Sequence, residues 1–93
     1  MTAYVHVSFT VKNPELMQAY SANAAQTIKA FKGEFLVKGP VVNLHGKSDY
    51  NFMAMIAFES KEMATQWYES SEYQKLIALR NEAMDSQFSL ING

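Results

Sequence analysis

Three side chains in this sequence carry chemistry from positions where the surrounding pattern asks for something blander: His6, His45 and Arg80. His6 sits inside the alternating run "AYVHVSFTV", and an imidazole set in a cavity could pass a proton as acid or base. His45, in "LHGK", closes an extended stretch beside a glycine turn, where a reacting side chain is often held on a loop by rigid elements. Arg80 falls in "SEYQKLIALRNEAM", two helical turns after Tyr73, within a stripe of Tyr73, Leu76, Ile77, Ala83 and Met84. An unpaired guanidinium is too costly to bury, so Arg80 needs either a partner or a wet pocket. One arrangement pairs it with a carboxylate from Glu34, Asp49, Glu59 or Glu69 while its stem packs on Tyr73. The other offers a planar fork to the carboxylate or enolate of a ligand at a cavity mouth. The ion pair is the commoner arrangement. A lone strand histidine, likewise, more often satisfies a backbone carbonyl or a subunit seam than a substrate.

Tyr20, Trp67 and Tyr73 join Arg80 as candidate ligand contacts. Aromatic residues at helical spacing serve packing first, and a buried Tyr20 needs a partner for its hydroxyl. Other chemistries are disfavoured by what the sequence lacks. There are no cysteines, so thiolate catalysis and thiolate metal sites are out. The two histidines are far apart in sequence and form no metal-binding spacing, and no glycine-rich phosphate loop is present. No metal and no cofactor is expected. With a net charge of −1 and no basic stripe, nucleic acid is a poor partner.

The elements that must position these residues follow from periodicity. Ala3 to Val11 alternates strictly, giving a strand with Ala3, Val5, Val7, Phe9 and Val11 on one face and Tyr4, His6, Ser8 and Thr10 on the other. Asn13 and Pro14 suit the cap and first position of a helix bearing Met17, Tyr20, Ala24, Ile28 and Phe31, which ends at Gly33, suited to a left-handed closing turn. "EFLVKGPVVNLHG" reads as a strand broken at Gly39-Pro40, and a proline there implies an edge or a bulge. "FMAMIAFE" is apolar on both faces. Ser60 caps a helix with Met63, Ala64, Trp67 and Tyr68, and a third helix follows with Ser71 and Gln74 placed for a capping box. "SQFSLI" is a short last strand. The order β-α-β-β-α-α-β folds as α+β: one domain over 1–93, a four-stranded antiparallel sheet with its helices on one face.

Helices on one side leave the other side bare, yet the central strand is apolar there too. An open apolar face of this kind marks an interaction surface. A second copy related by a two-fold axis would cover it and close a barrel bordering a cavity. "FMAMIAF" is too short to cross a membrane. The opening "MTAYVHVSF" lacks the basic and apolar regions of a secretory signal, so the cytoplasm is the expected location.

Several stretches, "AYVHVSFTVKNPELMQAY", "GEFLVKG", "AFES" and "WYESSEYQKLIALRNEAMDSQFSLING", together resemble the DUF1330 family. The distinctive part is Trp67-Tyr68, Ser70, Glu72-Tyr73, Leu79-Arg80 and Gly93. The resemblance implies a ferredoxin-like dimeric α+β barrel and carries no established reaction. The chain departs from the family at Lys32-Gly33-Glu34, where two glycines and a basic residue are usual. It departs again at Ser71, commonly proline, and at His45, commonly acidic. Three functions fit: a homodimer binding a small carboxylated or aromatic metabolite in a cavity between sheet and helices; a cofactor-independent enzyme; or a purely structural dimer or interaction module. The enzyme would be a monooxygenase, isomerase or lyase, with His6 or His45 carrying the proton and Arg80 stabilising an anion. It rests on fold analogy alone.

Overall fold

The computed structural model describes residues 2–92; Gly93, part of the family-like pattern, lies outside the described residues. Its elements are β1 (Ala3–Val11), α1 (Pro14–Ala30), β2 (Glu34–Pro40), β3 (Phe52–Phe58), α2 (Lys61–Glu69), α3 (Ser71–Gln74), α4 (Ile77–Ala83) and β4 (Met84–Asn92). The strands form one four-stranded antiparallel sheet with the helices on one face, as expected, and the strand order is β2-β3-β1-β4.

Local chemistry explains most boundaries. The Asn13 side chain accepts from the Glu15 and Leu16 amides, at 3.1 and 3.2 Å, and Pro14 opens α1 where its missing N–H costs nothing. Ser60 caps α2 by accepting from the Met63 amide. Two expected boundaries are displaced by one residue. The cap of α3 is Ser70, not Ser71: its hydroxyl accepts from the Tyr73 amide and donates to the Trp67 carbonyl, closing one helix and opening the next. The left-handed residue after α1 is Lys32, with φ 60°, rather than Gly33. Gly33 is required for another reason. A Cβ there would meet Phe58 Cε1 at 2.6 Å and Ile28 Cγ2 at 2.7 Å.

The long third helix divides into α3 and α4 around a turn at Lys75–Leu76, and the last strand runs from Met84, longer than the six residues of "SQFSLI". The second strand stops at Pro40, and Val41–Asn51 is an exposed connection rather than continued strand. The irregularity in β2 lies before Gly39-Pro40. Phe35 pairs with Ile56 but Val37 pairs with Met55, so Leu36 is an extra residue, a β-bulge on an edge strand.

The strand register sorts the two faces. Toward the helices point Ala3, Val5, Val7 and Phe9 of β1 and Ala54, Ile56 and Phe58 of β3, all buried. These meet Tyr20, Ala24 and Ile28 of α1, Ala64 and Trp67 of α2, and Tyr73, Leu76 and Ala83 from the last helical turns. The opposite face carries Tyr4, His6, Ser8 and Thr10 beside Met53, Met55 and Ala57, half-buried by their neighbours and covered by no element among the described residues. Across that face one row reads Val37, Met55, His6, Ser89.

Candidate functional site

The helices bring Arg80 into a cluster of phenols. Tyr20, on α1, and Tyr73, on α3, share a hydrogen bond of 2.7 Å between their hydroxyls. Arg80, one turn from the end of α4, donates through one guanidinium nitrogen to Tyr68 at 3.0 Å and to Tyr73 at 3.3 Å. Its charge also lies over the Phe88 ring, 5.0 Å from the centroid, and 6.0 Å from that of Tyr68. The carboxylate expected opposite Arg80 is absent: neither Glu34, Asp49, Glu59 nor Glu69 pairs with it. The salt bridge found among the described residues joins Lys12 to Asp85 on the surface. The physical reason is local. The turn at Lys75–Leu76 brings α4 back beside the C-terminal end of α2, so phenol oxygens occupy the guanidinium where an acid was anticipated.

Electrostatics within the cluster run one way. Burial pushes the Tyr20 hydroxyl well above the usual tyrosine range, and the adjoining Tyr73 adds to it. Burial raises Tyr73 as well, against the lowering pull of its hydrogen bonds with Tyr20 and Arg80. For Arg80, burial works against the charge, but the hydrogen bonds to Tyr68 and Tyr73 outweigh it and raise its pKa. The cluster therefore sets one fixed cation beside two phenols, Tyr20 and Tyr73, that burial holds to their protons, and it can attract an anion.

Behind Arg80 the network continues inward. Trp67, fully buried, donates its indole N–H to Thr27 at 2.9 Å, and Thr27 in turn donates to the Ala24 carbonyl. The Trp67 and Tyr73 rings stand 4.5 Å apart between centroids. Tyr20, Trp67, Tyr73 and Arg80 are thus brought together, three as core and Arg80 half-buried at the edge. The other two candidates are not. His6 lies on the uncovered face of the sheet, opposite the helices. His45 lies in the exposed loop after β2, at the sheet edge remote from β4.

Sequence reasoning missed the contacts of Tyr68 and Phe88 with Arg80. Tyr68 was visible as part of an apolar helix stripe, but nothing in its spacing from Arg80 points to a contact made through an intervening turn. Both rings line a surface groove of about 310 Å3 between α2 and β4, with Thr65, Glu69 and Leu90. Among the described residues no cluster of three metal-ligating side chains occurs, and no helix is long and apolar enough to cross a membrane.

Known proteins place this architecture. A family model described as "Domain of unknown function (DUF1330)" matches residues 2–93. No curated protein matches the chain. Among solved structures, a protein of unknown function from Rhodopseudomonas palustris superposes with a TM-score of 0.81 at 13% identity, covering 99% of this chain and 82% of that one. A dimeric ferredoxin-like protein of unknown function from Thermobifida fusca gives 0.68 at 10% identity, over 100% and 92% of the two chains. SnoaB, a cofactor-independent oxygenase from Streptomyces nogalater, gives 0.68 at 13% identity, over 99% and 91%. At these identities the likeness is one of fold.

Proposed function

We propose that this chain, which belongs to the DUF1330 family, acts as a homodimer that binds a small carboxylated or aromatic metabolite. Arg80 supplies the charge, and Tyr68 and Phe88 supply flat apolar walls. The observation that carries this reading is the uncompensated guanidinium. Its hydrogen-bond partners are the Tyr68 and Tyr73 phenols and the Asn81 amide oxygen, which orient it without neutralising it, and it makes no ion pair among the described residues. The adjoining groove, which Arg80 borders through Tyr68 and Phe88 without itself lining it, has the size of a small-ligand site. Glu69 in its wall disfavours polyanions, which leaves a singly charged, planar acid as the best match. Tyr73 and Tyr20 act behind the site, holding Arg80, and Trp67 backs them. Pairing through the uncovered sheet face is supported by the row of half-buried methionines and by dimeric relatives of the fold.

An enzymatic reading with Arg80 as anion stabiliser needs a proton carrier near it. His6 and His45 lie on the far side of the sheet and on the far edge, so nothing in the chain favours that reading over binding. A purely structural dimer would leave the guanidinium's remaining donors to water.

The test is thermal unfolding against a panel of aliphatic and aromatic carboxylates, using wild type, Arg80→Leu and Arg80→Lys. At a hundredfold excess over Kd, a ligand adds about 2.7 kcal/mol, on the order of 10 °C for a small domain. The expected result is a shift with an aromatic monocarboxylate that Arg80→Leu abolishes and Arg80→Lys weakens, since lysine keeps the charge but not the fork. Equal shifts in wild type and Arg80→Leu, or no shift with any acid, refute a binding role for Arg80.

A further inference from the structure

A second hollow lies beneath α1, between helices and sheet; its wall reaches Tyr20, Trp67 and Phe88 beside the Arg80 cluster but does not include Arg80 itself. α1 does not seal the sheet at the β2 edge. Beneath it a cavity of about 40 Å3 is walled by Phe9, Ala24, Ile28, Ala54 and Trp67, among others. On the surface above β2, a hollow of about 400 Å3 is lined by Ser21, Phe35, Leu36, Val37 and Lys38. The two adjoin at Ser21, Phe35 and Lys38, which set a hydroxyl and an ammonium between the inner apolar space and the surface. Phe35 remains 46% exposed although its register partner Ile56 is buried at 3%. Lys38 points to the helix side, its ammonium 5.9 Å from the Phe9 centroid.

From these features we infer a second ligand site, for an amphiphilic monocarboxylate: apolar end under α1 against Trp67, carboxylate at Lys38 and Ser21. The inner space, at about 40 Å3, takes only the tip of an alkyl chain, and the remainder of the ligand covers Phe35 and Leu36 outside. An inward-facing lysine on an edge strand also guards against edge-to-edge pairing. That role requires no void beneath it, whereas here the void and the charge occur together. The site shares the Trp67 and Phe88 walls with the groove beside Tyr68 but takes its charge from Lys38 rather than Arg80.

The chain has one tryptophan, Trp67, which lines the inner cavity. A bromine carried into that cavity therefore quenches the only indole. The experiment titrates wild type with ω-bromohexanoate and with ω-bromohexanol, and repeats the titration on Lys38→Glu, Ala54→Leu and Arg80→Leu. The expected result is saturable quenching by the acid, tighter than by the alcohol. Lys38→Glu, at an exposed position that leaves the core untouched, weakens the acid about tenfold or more. Ala54→Leu fills the cavity and removes the quenching, and Arg80→Leu leaves it unchanged. Because Trp67 also borders the groove beside Tyr68, the last comparison is decisive. Quenching lost in Arg80→Leu but kept in Lys38→Glu assigns the ligand to that groove and overturns the inference. So does quenching that rises linearly without saturation, or that grows on dilution, which would mean that a second copy covers the hollow.

Discussion

Arg80 is an ordinary residue type in an unusual setting. A guanidinium in an apolar stripe was legible in the sequence as an anomaly, because helical periodicity alone exposes it. Its partners were not legible, since Tyr68 and Phe88 reach it only through the turn after α3 and the return of β4. The phenols it orders carry a consequence for pH. Tyr20 and Tyr73 have native pKa values raised above the ordinary tyrosine value, chiefly by burial. The native state therefore holds their protons more tightly than the unfolded chain does. Their contribution to stability is complete below the unfolded value of about 10 and is lost as pH climbs above it. Urea unfolding followed from neutral pH upward should give a flat midpoint that falls steeply beyond about pH 10. Tyr20→Phe should make that fall shallower. Phenolate absorbance should lag behind that of the unfolded chain, which has five tyrosines free to ionise. A lag unchanged by Tyr20→Phe would mean that Tyr20 is not held neutral.

Among the elements, types and order were readable from alternation and capping residues, while the closures were less so. The end of α1 illustrates the limit. A glycine after a helix suggests a left-handed turn, but here Lys32 takes that conformation and Gly33 is kept small by the Phe58 ring packed above it. Steric approach by a residue far along the chain leaves no local trace. Two substitutions separate these roles. Lys32→Gly should stabilise by about 1 kcal/mol, by relieving a side chain held at positive φ. Gly33→Ala should destabilise by about 1–3 kcal/mol, because the buried Phe58 and Ile28 must move. Chemical denaturation of the two variants measures both; the same sign for both would contradict this assignment. Ser70 offers the same lesson. Either of two adjacent serines satisfies a capping pattern, and the choice is made by the Trp67 carbonyl that only Ser70 reaches.

For the whole molecule, the sheet with one bare apolar side followed directly from the two-faced hydrophobicity of β3. Which side each residue of β2 would take did not. If the bare side is a subunit interface, a charge at its centre must break it. Met55→Glu, in the row with His6 and Ser89, should halve the mass measured by light scattering while leaving the far-ultraviolet circular dichroism spectrum unchanged. Wild type running as a monomer, or a Met55→Glu variant that still pairs, would place the interface elsewhere.

The single extra residue in β2 has a wider meaning. With strict alternation from Phe35, Val37 would turn toward the helices and Lys38 toward the bare side. Leu36 shifts the count by one, so Val37 joins Met55 and Lys38 faces Ala54 beneath α1. Deleting Leu36 would thus remove the bulge and leave Val37 and Lys38 on their present sides, whereas a regular ladder that kept Leu36 would carry the cation through the thickness of the sheet and exchange it for a valine. Whether the ladder bulges therefore decides which side of the protein is charged, with no change in the composition of the strand.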